Sequence, residues 1–225
     1  MKPVIVLNFK TFNESAGEKG FALAKAAFEV AKETRKASIV ICPQMQQLEA
    51  ISRKFSATNF FVFSQHADEF NPGAYTGRVT VEGIKASGCA GTITNHAERK
   101  VSLEHCRFVV DKARGLGLKT VFCAENVAKG VLLAQLKPWA IAVEPPELIG
   151  SGISVSTANP EIVRDAVKRV KQLNSSILVF VGAGVSNGND LAKSISLGAE
   201  GVLLASAFVK AKSPKKWLED LIDAI

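Results

Sequence analysis

The sequence predicts an α/β fold of parallel strands closed as a (β/α)8 barrel. Eight short apolar runs recur along its 225 residues, and helical stretches with one apolar face separate them. The runs are unbroken rather than alternating, which suits strands buried on both faces, as parallel strands are. Each strand-plus-helix unit averages about 28 residues, and eight such units fall within the lengths a (β/α)8 barrel takes. A doubly wound open sheet is the rival arrangement on pattern alone.

The elements follow in order. Pro3–Asn8 is the first strand, and a stretch rich in Ala, Glu and Lys from Ser15 to Lys36 is the first helix. Ser38–Cys42 then pairs with Gln44–Phe55, Phe60–Ser64 with Val81–Ser87, and Ala90–Thr94 with a helix that Ser102 opens and Gly115 ends. Lys119–Cys123 is followed by Val127–Leu136, and Trp139–Val143 by a helix from Asn159. There Asn159 has N-cap chemistry, Pro160 suits the first helical position, and Glu161 faces the positive end of the dipole. Ile177–Val181 precedes Asn189–Leu197, and Gly201–Leu204 precedes Pro214–Ile225. No Pro/Gly/Ser-rich linker divides the chain, so residues 1–225 are expected to form a single domain.

Composition narrows the function. Hydrophobic residues make up 47% and charged residues 22%, which supports a packed core and argues against disorder. The net charge of +7 could draw nucleic acid, an anionic membrane or a phosphorylated metabolite. The basic residues are scattered, however, and read as solvated helix faces. Nucleic-acid binding needs a basic face with aromatic platforms; here the aromatic residues are mostly Phe, several of them inside apolar runs, and there is one Tyr. Cys42, Cys89, Cys106 and Cys123 form no CxxC pair and no disulfide framework, so a reducing, cytoplasmic location is expected. His66 and His105 read as surface or interface residues rather than metal partners. No apolar run approaches the roughly 20 residues that span a bilayer.

Reacting groups of a barrel sit at the carboxyl ends of its strands. Asn8-Phe9-Lys10 follows the first strand, Asn95-His96-Ala97-Glu98-Arg99 the fourth, and Glu144-Pro145-Pro146 the sixth. Gly182-Ala183-Gly184 follows the seventh and Ala205-Ser206 the eighth. Each has a bland reading: a surface lysine, a structural histidine, a capping carboxylate, a tight turn. Their convergence on one mouth under one topology favours a site.

The blocks NFK, NHAERK, VEPPELIGSG, VGAGVS and LLASA, in this order over nearly the whole chain, resemble triosephosphate isomerase, most closely its compact archaeal form. The more widespread form has Gly and Ser where Asn95 and Ala97 flank His96, Trp near Glu147, and Ser at Gly184. These departures remove no reacting group.

The resemblance implies a TIM barrel that interconverts dihydroxyacetone phosphate and glyceraldehyde 3-phosphate without metal or organic cofactor. It implies Glu144 as base, neutral His96 as electrophile and proton shuttle, and Lys10 as the cation facing the enediolate and phosphate. Asn8 would orient Lys10 and donate to substrate oxygen, and Glu98 would hold Lys10. Backbone N–H groups at Gly182, Gly184, Ala205, Ser206 and the lid residues Ile149 and Gly150 would receive the phosphate. The lid would run from Pro145 to about Ser154. Another phosphate-binding barrel, such as a sugar isomerase of amino-acid biosynthesis, would share the small loops but not the Lys10, His96 and Glu144 set.

The resemblance also implies at least a dimer, through the loop Gln65–Gly77. Only Asn126–Pro138 lie between Glu125 and Trp139, room for at most about three helical turns. The apolar run Val131–Leu136 cannot all turn inward, so a homotetramer, a dimer of dimers, is expected.

Overall fold

Eight parallel strands hydrogen-bond side by side and return to the first, in a closed barrel. They are β1 Val4–Asn8, β2 Ser38–Cys42, β3 Phe60–Ser64, β4 Gly91–Thr94, β5 Lys119–Ala124, β6 Ala140–Val143, β7 Leu178–Val181 and β8 Gly201–Leu204. The seam is the β1–β8 pair, in register from Val4↔Gly201 to Leu7↔Leu204. The computed structural model describes residues 2–145 and 154–225. The expected (β/α)8 barrel is the fold found, and the expected strand limits differ from the observed ones by no more than one residue.

The wall helices are α1 Gly17–Glu33, α2 Leu48–Lys54, α3 Val81–Ala86, α4 Leu103–Gly115, α5 Val127–Ala134, α6 Val155–Ala158, α7 Pro160–Leu173, α8 Gly188–Ser196, α9 Ser206–Val209 and α10 Pro214–Asp223. Short polar side chains start several of them: Ser102 accepts from the His105 N–H, Asn126 from Lys129, and Asn187 from Asp190. Such caps satisfy N–H groups that have no intrahelical acceptor. Asn159 precedes α7, but its side chain makes no capping bond. The one-turn helices α6 and α9 were not expected, because four residues carry no helical period.

Strand residues alternate between two cores, as a period of two requires. Val4, Val6, Val40, Phe63, Ile93, Val121, Ala140, Ala142, Leu178, Phe180 and Leu203 share one buried cluster inside the barrel. Ile5, Leu7, Ile39, Ile41, Val181, Val202 and Leu204 pack outward with the helices. Trp139 packs between Phe63 and Phe180, at 5.8 and 5.7 Å between ring centroids. Gly91 and Gly201 make room for those rings: a Cβ on Gly91 would lie 2.7 Å from Phe63, and one on Gly201 2.9 Å from Phe180.

Two expectations need correction. His66 and His105 are buried, not on the surface. His66 Nε2 lies 3.2 Å from Asp68 Oδ1, and His105 Nε2 lies 2.7 Å from the Ala67 carbonyl. The apolar stretch around α5 is also better covered than expected: Leu133, Ala134 and Leu136 are buried, and Leu132 is left 37% exposed.

Candidate active site

Continuing the alternation of each strand by one step names the residues at the mouth. After Val4 and Val6 the next inward position is Asn8; after Phe61 and Phe63 it is Gln65; after Gly91 and Ile93 it is Asn95. After Ala140 and Ala142 it is Glu144, after Leu178 and Phe180 it is Gly182, and after Leu203 it is Ala205. The mouth is thus built from strand ends.

Lys10 has φ of 47°, a left-handed conformation that a long side chain rarely adopts. Its neighbours hold it there. Asn8 Oδ1 accepts the Lys10 N–H at 3.0 Å, and Gln65 Nε2 donates to the Lys10 carbonyl at 2.9 Å. The ammonium then meets Glu98 Oε1 at 2.7 Å. Asn95 is likewise left-handed, at 62°. Its Nδ2 donates to the Cys123 carbonyl and its Oδ1 accepts from Val101, which fixes the turn that presents His96.

The Glu98 N–H donates to His96 Nδ1 at 3.2 Å. That nitrogen is therefore an acceptor, and the ring proton belongs on Nε2. Burial, then the Lys10 charge, lowers the His96 pKa to about 4, against a weaker upward pull from Glu98. The imidazole is neutral near pH 7.

Glu144 is 1% exposed, and neither carboxylate oxygen has a hydrogen-bond partner among the described residues. Burial raises its pKa to about 8, while the Cys123 thiol and Lys10 pull downward. Its Oε1 lies 3.8 Å from His96 Nε2. Gly182 makes the space it occupies: a Cβ there would come within 2.3 Å of Glu144 Cγ.

A cavity of about 450 Å³ opens at this end, lined by Lys10, Phe12, His96, Gly182, Gly184, Val185, Ser186, Ala205, Ser206, Ala207 and Lys210, among others. Glu144 opens instead on an adjoining cavity of about 70 Å³, with Asn95, Ala97, Lys100 and Cys123. The Gly182 N–H donates to the Val143 carbonyl, so Gly182 offers room rather than the expected N–H donor. The N–H groups of Gly184, Ala205 and Ser206 meet no backbone acceptor among the described residues. The expected lid contacts Ile149 and Gly150 lie outside the described residues. Beyond them, Val155 donates to the Ala183 carbonyl, tying the far end of that segment to the β7 loop. Among the described residues, no group of three His, Cys, Asp or Glu side chains is placed to hold a metal, and no helix is long and apolar enough to cross a membrane.

The sequence reading missed Gln65 as a support of Lys10, and Ser186 and Lys210 as cavity residues. The two-residue alternation finds Gln65. Lys210 sits four positions beyond Ser206, in a turn without a pattern to mark it.

Fold and site together define a (β/α)8-barrel protein with a carboxyl group, a neutral imidazole and an ammonium gathered at the carboxyl ends of its strands. Residues 3–225 match the family model described as triosephosphate isomerase. A triosephosphate isomerase of Methanocaldococcus jannaschii is 45% identical over 222 residues, covering 99% of this chain and 100% of that protein. One of Methanobacterium bryantii is 44% identical, covering 99% and 97%, and one of Methanothermus fervidus is 43% identical, covering 98% of each. The chain belongs to the triosephosphate isomerase family.

Proposed function

We propose that the chain, acting as one catalytic domain, interconverts dihydroxyacetone phosphate and D-glyceraldehyde 3-phosphate, with Glu144, His96 and Lys10 as its reacting groups. The observation that carries the reading is the buried, unpartnered Glu144 carboxyl beside a neutral imidazole. A buried polar group left unpaired costs stability, and a group kept at such a cost is a candidate for chemistry.

The steps follow from the chemistry of the groups. Rotation about the Glu144 side-chain bonds, past Gly182, carries the carboxylate to the larger cavity. Glu144 takes a proton from the carbon next to the carbonyl, and the C–H electron pair becomes the enediolate double bond. His96 Nε2–H donates to the carbonyl oxygen where negative charge grows, and the Lys10 ammonium stabilises that charge. The proton passes between the two oxygens by way of the imidazole. Glu144 then returns its proton to the neighbouring carbon. A pKa of about 8 sits near the working pH, where a general base is most effective. The phosphate lies against the free N–H groups of Gly184, Ala205 and Ser206, with Ile149 and Gly150 of the lid closing over it.

A coupled assay with glyceraldehyde 3-phosphate tests the reading. Rapid conversion is expected from wild type, and a rate lower by about 10²–10⁴-fold from Glu144→Gln. A wild type without turnover overturns the assignment.

The enzyme works in the cytoplasm on a soluble metabolite, with no nucleic-acid or membrane partner, as a dimer of dimers. Tyr75, 49% exposed on the loop after β3, and Leu132 on α5 support the two contacts. Light scattering at micromolar concentration is expected to give about four times the 24.0 kDa subunit mass. A species of twice that mass removes the second contact, and an active monomer removes both.

A further inference from the structure

We infer that Lys210 is an anion-binding residue of this site, supplying the uncompensated positive charge that draws the substrate's phosphate into the cavity. The inference rests on the proposed function, and it concerns a residue to which neither the motif resemblance nor the strand-end reading assigns a role.

The cavity wall carries few full charges. Two ammonium groups line it, those of Lys10 and Lys210. Among the described residues no carboxylate does, and His96 is neutral near pH 7. Lys10 is already balanced by Glu98 at 2.7 Å, so at a distance the pair presents little net charge. Lys210 forms no ion pair with any described residue. Glu14 shares a neighbouring groove with it but stays beyond ion-pair distance.

The position of the ammonium is also set. Lys210 Nζ stands 4.5 Å from the centroid of the Phe12 ring. A cation over an aromatic face gains electrostatic attraction without losing its charge. Phe12 also lines the cavity, two residues past Lys10, so the ring holds the second ammonium on the same mouth. At the base of the mouth, the Gly184, Ala205 and Ser206 N–H groups are directional but carry only partial charge. A phosphate dianion needs both kinds of partner: N–H groups that shape its seat and a full charge that offsets its own.

Lys210→Met removes the charge and keeps the reach. Calorimetric titration with inorganic phosphate is expected to show about tenfold weaker binding. Turnover of glyceraldehyde 3-phosphate should lose about ten- to hundredfold in kcat/KM at low ionic strength, mostly through KM, and the deficit should shrink as salt screens the charge. Isomerisation of D-glyceraldehyde, which has no phosphate, should be unchanged. Lys210→Arg should stay within about threefold of wild type for both phosphate ligands, since the charge and the ring contact persist. Lys212→Met, two residues on and off the cavity wall, should behave as wild type.

Unchanged phosphate affinity in Lys210→Met overturns the inference. So does an equal loss for glyceraldehyde and its phosphate, or an equal effect of Lys212→Met. If wild type has no isomerase activity, the proposed function fails on its own, while the phosphate titration still decides the role of Lys210.

Discussion

Two carboxyl groups of this protein are both nearly closed to solvent, Glu144 the more deeply enclosed, and they are treated in opposite ways. Asp68 is 2% exposed and Glu144 is 1% exposed. Asp68 accepts from the Val79 N–H at 2.7 Å, and Arg99, Arg78 and His66 all reach its Oδ1 within 3.3 Å. Burial pushes its pKa up, but Val79, His66 and Arg99 together bring it below the usual value. Glu144 has no such partners among the described residues, and burial prevails. Asp68 braces the loop that follows β3, where a fixed charge serves the scaffold. Glu144 is left able to gain and lose a proton, which a base must do. Burial alone therefore does not single out Glu144 as the proposed base; burial without partners does.

The largest effect expected from breaking this contrast is at Glu144. Glu144→Gln should cost about 10²–10⁴-fold in kcat, the range for a positioned base. The same change should stabilise the fold at pH 8 by about 1–3 kcal/mol, because an amide never carries the buried charge. Paired activity and urea-denaturation measurements check both. A variant both inactive and less stable at pH 8 would contradict the picture of an unpaired, strained carboxylate.

Asp68→Asn should show the reverse pattern. Arg78 and Arg99 are about half exposed and keep their water when the charge goes, so the cost is about 1–3 kcal/mol, chiefly the lost bonds from Val79 and His66. Chemical denaturation reads that loss, and kcat of the folded fraction should change less than about threefold.

Gly182→Ala tests the space beside Glu144. Its methyl group would overlap Glu144 Cγ, so kcat/KM should fall about 10- to 100-fold from a displaced base, with a smaller loss of stability. Unchanged kinetics would place the working position of Glu144 elsewhere.

The last contrast is in the pH dependence of stability. His66, chiefly through burial, and His96 both titrate near 4 in the fold, against an ordinary value of 6.5. As pH falls below 6.5 the unfolded chain takes up those protons first, so stability declines between pH 6.5 and 4. Glu144 acts on the other flank. Its native form keeps a proton up to about pH 8 while the unfolded form loses it near 4.5, so stability also declines as pH rises through that window. Denaturation midpoints across pH should flatten on the alkaline side in Glu144→Gln and on the acid side in His66→Asn.

Most of the framework was legible in the sequence because unbroken apolar runs have few other uses. The residues proposed to react stood out because strand ends could be located and the blocks there resemble one family. What escaped depends on pairing across the chain. Polar residue type placed His66 and His105 at the surface, yet Asp68, Ala67 and their neighbours supply the partners that allow burial. Gly182 was read as an N–H donor, but sequence does not reveal that its N–H already serves Val143. Asn159 has the composition of a helix cap without the bond. The α5 segment was expected to leave several apolar side chains bare; Leu133, Ala134 and Leu136 are buried, Val127 and Val131 half-buried, and Ala128 and Leu132 exposed.

The seam of the barrel has a consequence for synthesis. Lys10 follows β1, the first strand made, and its cavity partners Ala205, Ser206 and Lys210 follow β8, the last. While the ribosome is still translating, β1 has one edge without its neighbour and the phosphate seat does not exist. The nascent chain therefore holds all three proposed reacting groups, Lys10, His96 and Glu144, well before its cavity is closed. Onset of activity thus reports ring closure rather than the emergence of the catalytic residues.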